Sequence, residues 1–148
     1  MAAVRQANVN WSGDLATGKG TVSAATSGTF KDLDVSWARR SEADAQGKTS
    51  PEEFLAAAHA SCFAMAFSNE LSKAGGKPES VNVRSTVTFD RVGGGFKVVS
   101  SALEVSGRAS NIDEAGFEKA AQAAKDGCPI SQALKGNVDL SVKATLEK

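Results

Sequence analysis

The chain has no surplus charge, no long apolar run, one histidine and two cysteines, and each shortage closes a class of function. Lysine plus arginine equals aspartate plus glutamate at 17 each, so the formal net charge is zero. The electrostatic footprint of a nucleic-acid or polyanion binder is missing. Nothing approaches the roughly 18 consecutive apolar residues of a membrane span. The opening MAAVRQANVNW has no apolar core of the kind a signal peptide needs. These two absences point to a cytoplasmic protein. In a reducing compartment two cysteines do not make a permanent structural disulfide, although a transient catalytic one stays open. There is no C-x-x-C, which disfavours thioredoxin-like exchange. One histidine and two cysteines far apart in sequence make a poor four-ligand zinc set. Gly13 to Lys19 matches most of a phosphate loop, G-x-x-x-x-G-K, but Gly20 stands where the magnesium-binding Ser or Thr should be. Thr21 to Phe30 also shows no helical period, so nucleotide binding is disfavoured. No cofactor and no metal is expected.

What is present is the makeup of an ordinary soluble domain: 148 residues, 41% apolar and 23% charged, with no linker, repeat or low-complexity segment. One domain, 1–148, is expected. Val4 to Trp11 and Lys19 to Thr26 read as a hairpin. Thr29 to Arg40 reads as a third strand ending in Arg39-Arg40, followed by a polar loop over Ser41 to Lys48. Val81 to Phe89 alternates as a strand, Gly93-Gly94-Gly95 turns the chain, and Phe96 to Arg108 returns. Asn111 or Asp113 can cap a helix to about Lys125 with Phe117, Ala120, Ala121 and Ala124 inward. A short helical piece over Ile130 to Leu134 follows. Val138 to Leu146 alternates most cleanly and reads as a half-buried strand. The order is βββ-α-ββ-α-β. Hairpin-linked strands argue for antiparallel pairing and an α+β fold.

The central stretch is Thr49 to Asn69, TSPEEFLAAAHASCFAMAFSN. Ser50 suits the N-cap, Pro51 the first helical position and Glu53 the capping-box acid. The run that follows is apolar nearly all round, which predicts a helix buried on most sides. Cys62 sits in its middle among small residues, with His59 three residues earlier on the same face. It reads either as a buried small hydrophobe or as a reactive thiol. A reactive thiol needs a positive charge nearby. Cys62 lies roughly 16 Å beyond the helix start, and the helix dipole fades within the first turn. The cation must therefore come from elsewhere in the chain or from a partner chain. Arg39-Arg40 is either a solvated strand end or that cation.

SPEEFLAAAHASCFAMA resembles the central helix of the OsmC/Ohr family, the osmotically inducible protein C and organic hydroperoxide resistance proteins. Gly127-Cys128-Pro129-Ile130-Ser131-Gln132 resembles that family's second cysteine motif, and Ala-His-Ala favours the OsmC branch. The resemblance implies an OsmC-like fold, an intertwined homodimer with sites at its interface, and thiol-dependent reduction of organic hydroperoxides, with hydrogen peroxide a weaker substrate. It implies Cys62 as the nucleophile that becomes a sulfenic acid and Cys128 as the thiol that closes a disulfide with it. Arg40, with Arg39 as fallback, would hold the thiolate, and Glu52 would orient the arginine by a charge-paired, potentially bidentate contact. Phe54, Phe63, Met65 and Phe67 are candidates to line the peroxide pocket. Electrons would come from a dithiol reductant, a lipoylated protein by analogy with the family.

Three rivals stand beside this reading. A hydrolase would use Cys62 with His59 as base, but no third group is evident to orient the histidine. His59 reads more simply as a satisfied interior group. A zinc site lacks ligands, and a non-catalytic binding module would leave both thiols inert.

Overall fold

Gly13 and Asp14 turn the first strand back on itself. Gly13 takes φ of 93°. The Asp14 carboxylate accepts from the Thr17 amide at 2.8 Å and hydroxyl at 2.9 Å, and its carbonyl accepts from Gly18 at 2.9 Å. The phosphate-loop-like stretch is thus a hairpin turn closed on an aspartate. In this computed structural model, which describes residues 1–148, the chain divides into two compact units, residues 1–54 and 55–148.

In residues 1–54, β1 (Ala7–Ser12) pairs antiparallel with β2 (Lys19–Ala24), and β2 with β3 (Leu33–Val35). Gly20 faces Trp11 across the first pair. A β-carbon at position 20 would meet the Asn10 carbonyl and the Trp11 ring at 2.8 Å, so close approach excludes a side chain there. The third strand is shorter than the Thr29 to Arg40 expected. The Ser36 hydroxyl accepts from the Arg39 amide and starts a short helix, α1 (Trp37–Ser41), in which Arg39 and Arg40 occupy the last turn. A serine cap offers the backbone a local alternative to the strand ladder. Val22 is the one buried hydrophobic residue of this unit, while Val9, Trp11 and Leu15 are exposed.

The 23-residue helix α2 (Pro51–Lys73) opens as the sequence predicts, with the Ser50 hydroxyl accepting from the Glu53 amide at 3.2 Å. It stops at Gly75, with φ of 85°, and Gly76, whose amide reaches back to Leu71. Its burial is one-sided rather than all round. His59, Phe63, Phe67 and Leu71, each four residues from the last, are completely buried. Ala57, Ser61, Met65 and Asn69, at the same interval, are exposed.

Two 16-residue strands follow, β4 (Lys77–Val92) and β5 (Gly95–Ser110), antiparallel about a turn at Gly93-Gly94. Asp113 caps α3 (Glu114–Gly127) by accepting from the Gly116 amide at 2.8 Å. Cys128 ends α3 and begins α4 (Pro129–Leu134). The last strand, β6 (Asp139–Leu146), pairs with β5 in parallel, not antiparallel as expected, giving the sheet order β4-β5-β6. The two helices between β5 and β6 make a crossover long enough to bring the chain back to the end where β5 began, which a hairpin cannot do.

The core of residues 55–148 is built from Phe63, Phe67 and Leu71 of α2, Leu103 and Val105 of β5, the Phe117 stripe of α3, and Cys128. Phe67 and Phe117 meet edge to face at 4.9 Å. Each such ring taken from water contributes roughly 1.5–3 kcal/mol. The outward residues of β4, Asn82, Arg84, Thr86 and Thr88, are exposed and polar.

Candidate active site

The four-residue stripe that buries Phe63 and Phe67 leaves Cys62 beside it on the flank of α2, half-buried and packed against the core. Cys128 is completely buried where the chain passes from α3 to α4. Both thiols are free, and each lies close enough to the other to shift its acidity. The two cysteines, 66 positions apart in the chain, are thus neighbours in the fold.

Their environments pull them apart electrostatically. Burial pushes the Cys62 thiol above its ordinary value; the Ile130 amide opposes this and the Cys128 contact adds to it. Burial acts on Cys128 the same way, but the Ser131 amide, the Cys62 thiol, the Ser131 hydroxyl and the Ile130 amide outweigh it and leave Cys128 lowered.

His59 is fully buried, and both ring nitrogens are engaged. Nδ1 lies 2.7 Å from the Ser101 hydroxyl and Nε2 lies 2.8 Å from the Ser131 hydroxyl. Burial lowers its pKa. No nitrogen is left over to serve Cys62 as a base, which removes the footing of the hydrolase reading. No three His, Cys, Asp or Glu side chains gather as a metal-binding group.

In residues 1–54 the Arg40 Nε donates to Glu52 Oε1 at 2.9 Å, and the Arg40 guanidinium lies 6.0 Å from the Trp37 ring centre. The bidentate contact expected of the pair does not form, because Glu52 Oε2 is buried without a hydrogen-bond partner. Arg39 instead meets Glu42 at 3.4 Å and the Asp44 carbonyl. An open, mostly apolar cavity of about 640 Å³ lies in this unit, lined in part by Val9, Trp11, Phe30, Arg40 and Phe54. Of the aromatic and methionine candidates for a pocket, Phe54 borders this cavity and stacks on Phe30 at 5.4 Å. Phe63 and Phe67 are core, and Met65 is exposed.

A model of the OsmC-like protein family matches residues 43–143. The chain belongs to the OsmC-like family. This OsmC-like chain is 39% identical over 136 residues to the peroxiredoxin OsmC of Escherichia coli, covering 92% of this chain and 93% of that one. An organic hydroperoxide resistance protein of Xanthomonas axonopodis pv. citri is 30% identical over 99 residues, 64% of this chain and 65% of its own. Among solved structures, the organic hydroperoxide resistance protein OhrB of Bacillus subtilis superposes with a TM-score of 0.71 at 25% identity. It covers 95% of this chain and 98% of its own. An organic hydroperoxide resistance protein OsmC from Legionella pneumophila gives 0.69 at 25% identity, covering 97% and 99%. The mixed α+β fold is the fold these structures share. No helix of the OsmC-like chain is long and apolar enough to cross a membrane.

Sequence reasoning passed over Ser101 and Ser131 as partners of the histidine, and Ser85 as the partner of Ser101. Ser101 carried a signal: it lies on the inward face of β5 in line with the buried Leu103 and Val105, a polar interruption of an apolar alternation. A buried hydroxyl at such a place needs a partner.

Proposed function

We propose that this OsmC-like protein is a cysteine-based peroxidase that reduces organic hydroperoxides, and hydrogen peroxide more weakly, in defence against oxidative and osmotic stress. The observation that carries the reading is the pair of free thiols close enough to shift each other's acidity, one half-buried on α2 and one enclosed between α3 and α4. Cys62 is the more open sulfur and takes the nucleophile's part. Its thiolate attacks the terminal peroxide oxygen and the O–O bond breaks. The alkoxide takes a proton and leaves as the alcohol, and Cys62 becomes a sulfenic acid. The Cys128 sulfur then attacks the Cys62 sulfur, and the sulfenic oxygen leaves as water. A dithiol reductant, a lipoylated protein by family analogy, returns both thiols by exchange and supplies two electrons.

Within residues 55–148 the net effect on Cys62 is upward, so ionising it calls for a cation. We assign that part to Arg40, held by Glu52, which makes residues 1–148 one functional domain. The working form in this reading is a homodimer. The exposed Val9, Trp11 and Leu15 and the uncovered flank of α2 are surfaces a second copy would take from water. Light scattering should give about twice the 15.2 kDa chain mass. A reducing cytoplasm, the proposed location, would keep the two thiols open between turnovers.

The test is stopped-flow oxidation of the reduced chain by a bulky organic hydroperoxide and by hydrogen peroxide. One equivalent should yield the Cys62–Cys128 disulfide, faster with the organic peroxide, seen as one cross-linked peptide pair by non-reducing mass spectrometry. Thiols inert to both peroxides would instead leave a binding module. Cys62 sulfenic acid beside a reduced Cys128 would refute the resolving role.

A further inference from the structure

The peroxidase steps use two sulfurs and leave a row of polar groups without a task, three of them buried and the outermost, Ser85, half-buried. Ser85 Oγ lies 3.1 Å from Ser101 Oγ, Ser101 Oγ 2.7 Å from His59 Nδ1, and His59 Nε2 2.8 Å from Ser131 Oγ. Ser131 stands one turn along α4 from its N-cap, Cys128, and its hydroxyl acts on the Cys128 sulfur, lowering its pKa. The groups come from four elements, β4, β5, α2 and α4, and end on one thiol.

Such a chain has a direction. A hydroxyl has one hydrogen and a neutral imidazole one N–H. If Ser131 gives its hydrogen to the Cys128 sulfur, its oxygen is free to accept from Nε2–H. Nδ1 is then bare and accepts from Ser101, whose oxygen accepts from Ser85. Every donor points toward Cys128. With the proton on Nδ1 instead, Ser131 must donate to Nε2, and its oxygen can only accept from the Cys128 S–H. The two tautomers of His59 therefore match the two protonation states of Cys128.

We propose that His59 is a positioning residue for the resolving thiol: acting through Ser131, it aims a hydroxyl hydrogen at the Cys128 sulfur when that sulfur is a thiolate and changes tautomer when the sulfur is protonated. This rests on the reading of Cys128 as the thiol that closes the disulfide. In closure the Cys128 sulfur forms the S–S bond, the Cys62 S–O bond breaks, and the proton Cys128 has given up balances the departing hydroxide as water. A sulfur with an aimed donor is held ionised for that attack.

No charged side chain intrudes on the ring. Serines from β5 and α4 take its two nitrogens, and burial is the sole cause of its lowered pKa, so the imidazole stays neutral. The charged groups on the Ser131 side are Lys125, Asp126, Lys135 and Asp139, which share with Ser131 the lining of a small surface cavity of about 180 Å³.

His59 is the only histidine in the sequence, so its ring nitrogens can be read without assignment. The experiment takes the full-length Cys62→Ala chain, labelled with ¹⁵N and reduced, and raises the pH while thiolate absorbance reports Cys128. The ring proton should pass from Nδ1 to Nε2 with the same midpoint as the absorbance. A tautomer that stays fixed through that step, or one that moves equally in Cys62→Ala/Cys128→Ala, overturns the proposal. In a second arm, Ser131→Ala and His59→Leu, each in the Cys62→Ala chain, should raise the Cys128 midpoint by about one pH unit, the scale of a hydrogen bond to a charged sulfur. The two together should raise it no further, and fully additive shifts would also overturn the proposal. The first arm leaves His59 and Ser131 in place, so it stands if those variants do not fold. Neither arm consumes peroxide. Failure of the peroxidase reading would appear in stopped-flow, and failure of this one in the ring nitrogens.

Discussion

Residues 1–54 and 55–148 solve different problems. The second unit has a core of its own: Phe63, Phe67, Leu71, Leu103 and Phe117 are at most 1% exposed, and both sulfurs pack into or against it. The first has Val22 alone and leaves Val9 at 60%, Trp11 at 42% and Leu15 at 60% exposure. What it does hold is a half-buried ion pair, Arg40 with Glu52, beside the pair of Arg39 with Glu42. Fixing two thiols against each other requires close packing, because a sulfur held in a core cannot drift from its partner. Presenting a cation does not require this; a short capped helix is enough. The difference teaches that the packed unit fixes the two sulfurs, while the cation proposed for them, Arg40, comes from the unit with little core.

The largest test of that division is removal of the proposed nucleophile. Cys62→Ser should lower peroxide consumption by about a thousandfold or more, on the scale seen when a nucleophile is deleted. Circular dichroism should stay unchanged because serine is nearly isosteric. Retained turnover would break the comparison, since the sulfur would then not be what the second unit holds in place.

Next in size is the cation. Arg40→Ala should raise the Cys62 thiolate midpoint by about one pH unit and slow peroxide attack roughly tenfold. Arg39→Ala should move both within about twofold, an effect of surface-pair size. Thiolate absorbance against pH and stopped-flow rates read both variants. A normal midpoint in Arg40→Ala with a displaced one in Arg39→Ala would move the role to Arg39.

Stability sharpens the contrast further. Phe67→Ala should cost about 3–5 kcal/mol in urea unfolding. Val9→Ala, on an exposed position, should stay within about 0.5 kcal/mol at concentrations low enough to give monomer. A large Val9 effect that grows with protein concentration would show that a second copy covers the first unit.

The smallest effect is in pH. His59 has a folded pKa below its ordinary 6.5, so the unfolded chain binds a proton near neutrality that the folded chain refuses. Its contribution to stability is complete above about 6.5 and is lost as pH falls toward the folded value. The urea midpoint should therefore drop as pH is lowered from 7 to 5, and drop less in His59→Gln. Equal slopes in the two proteins would mean that the ring is not held neutral.

Local signals carried much of the fold. The Ser50-Pro51 start of α2, the Asp113 cap and apolar stripe of α3, the Gly93-Gly94 turn and the alternation of β6 each depend on residues a few positions apart, and each formed where its pattern lies. The third strand misled because Val35 and Trp37 continue an apolar alternation, while the Ser36 cap that breaks it is a single hydroxyl. The all-round burial expected of α2 is not met within one chain, where Ala57, Ser61, Met65 and Asn69 form an open face. Within the candidate site, residue types were legible but not their partners.

By itself the sequence determined where most of the helices and strands lie, that the chain carries two cysteines in family-like motifs, and that it has no histidine but one. Only the tertiary structure decided which groups meet. It joined His59 to Ser101 and Ser131, 42 and 72 positions away, brought Cys62 against Cys128, and laid β6 parallel to β5. The physical reason is range. Caps, turns and periodicities act within a turn or two of backbone, whereas a buried hydroxyl, an imidazole or a thiol takes whatever partner the packed core delivers, and no local pattern encodes which that is.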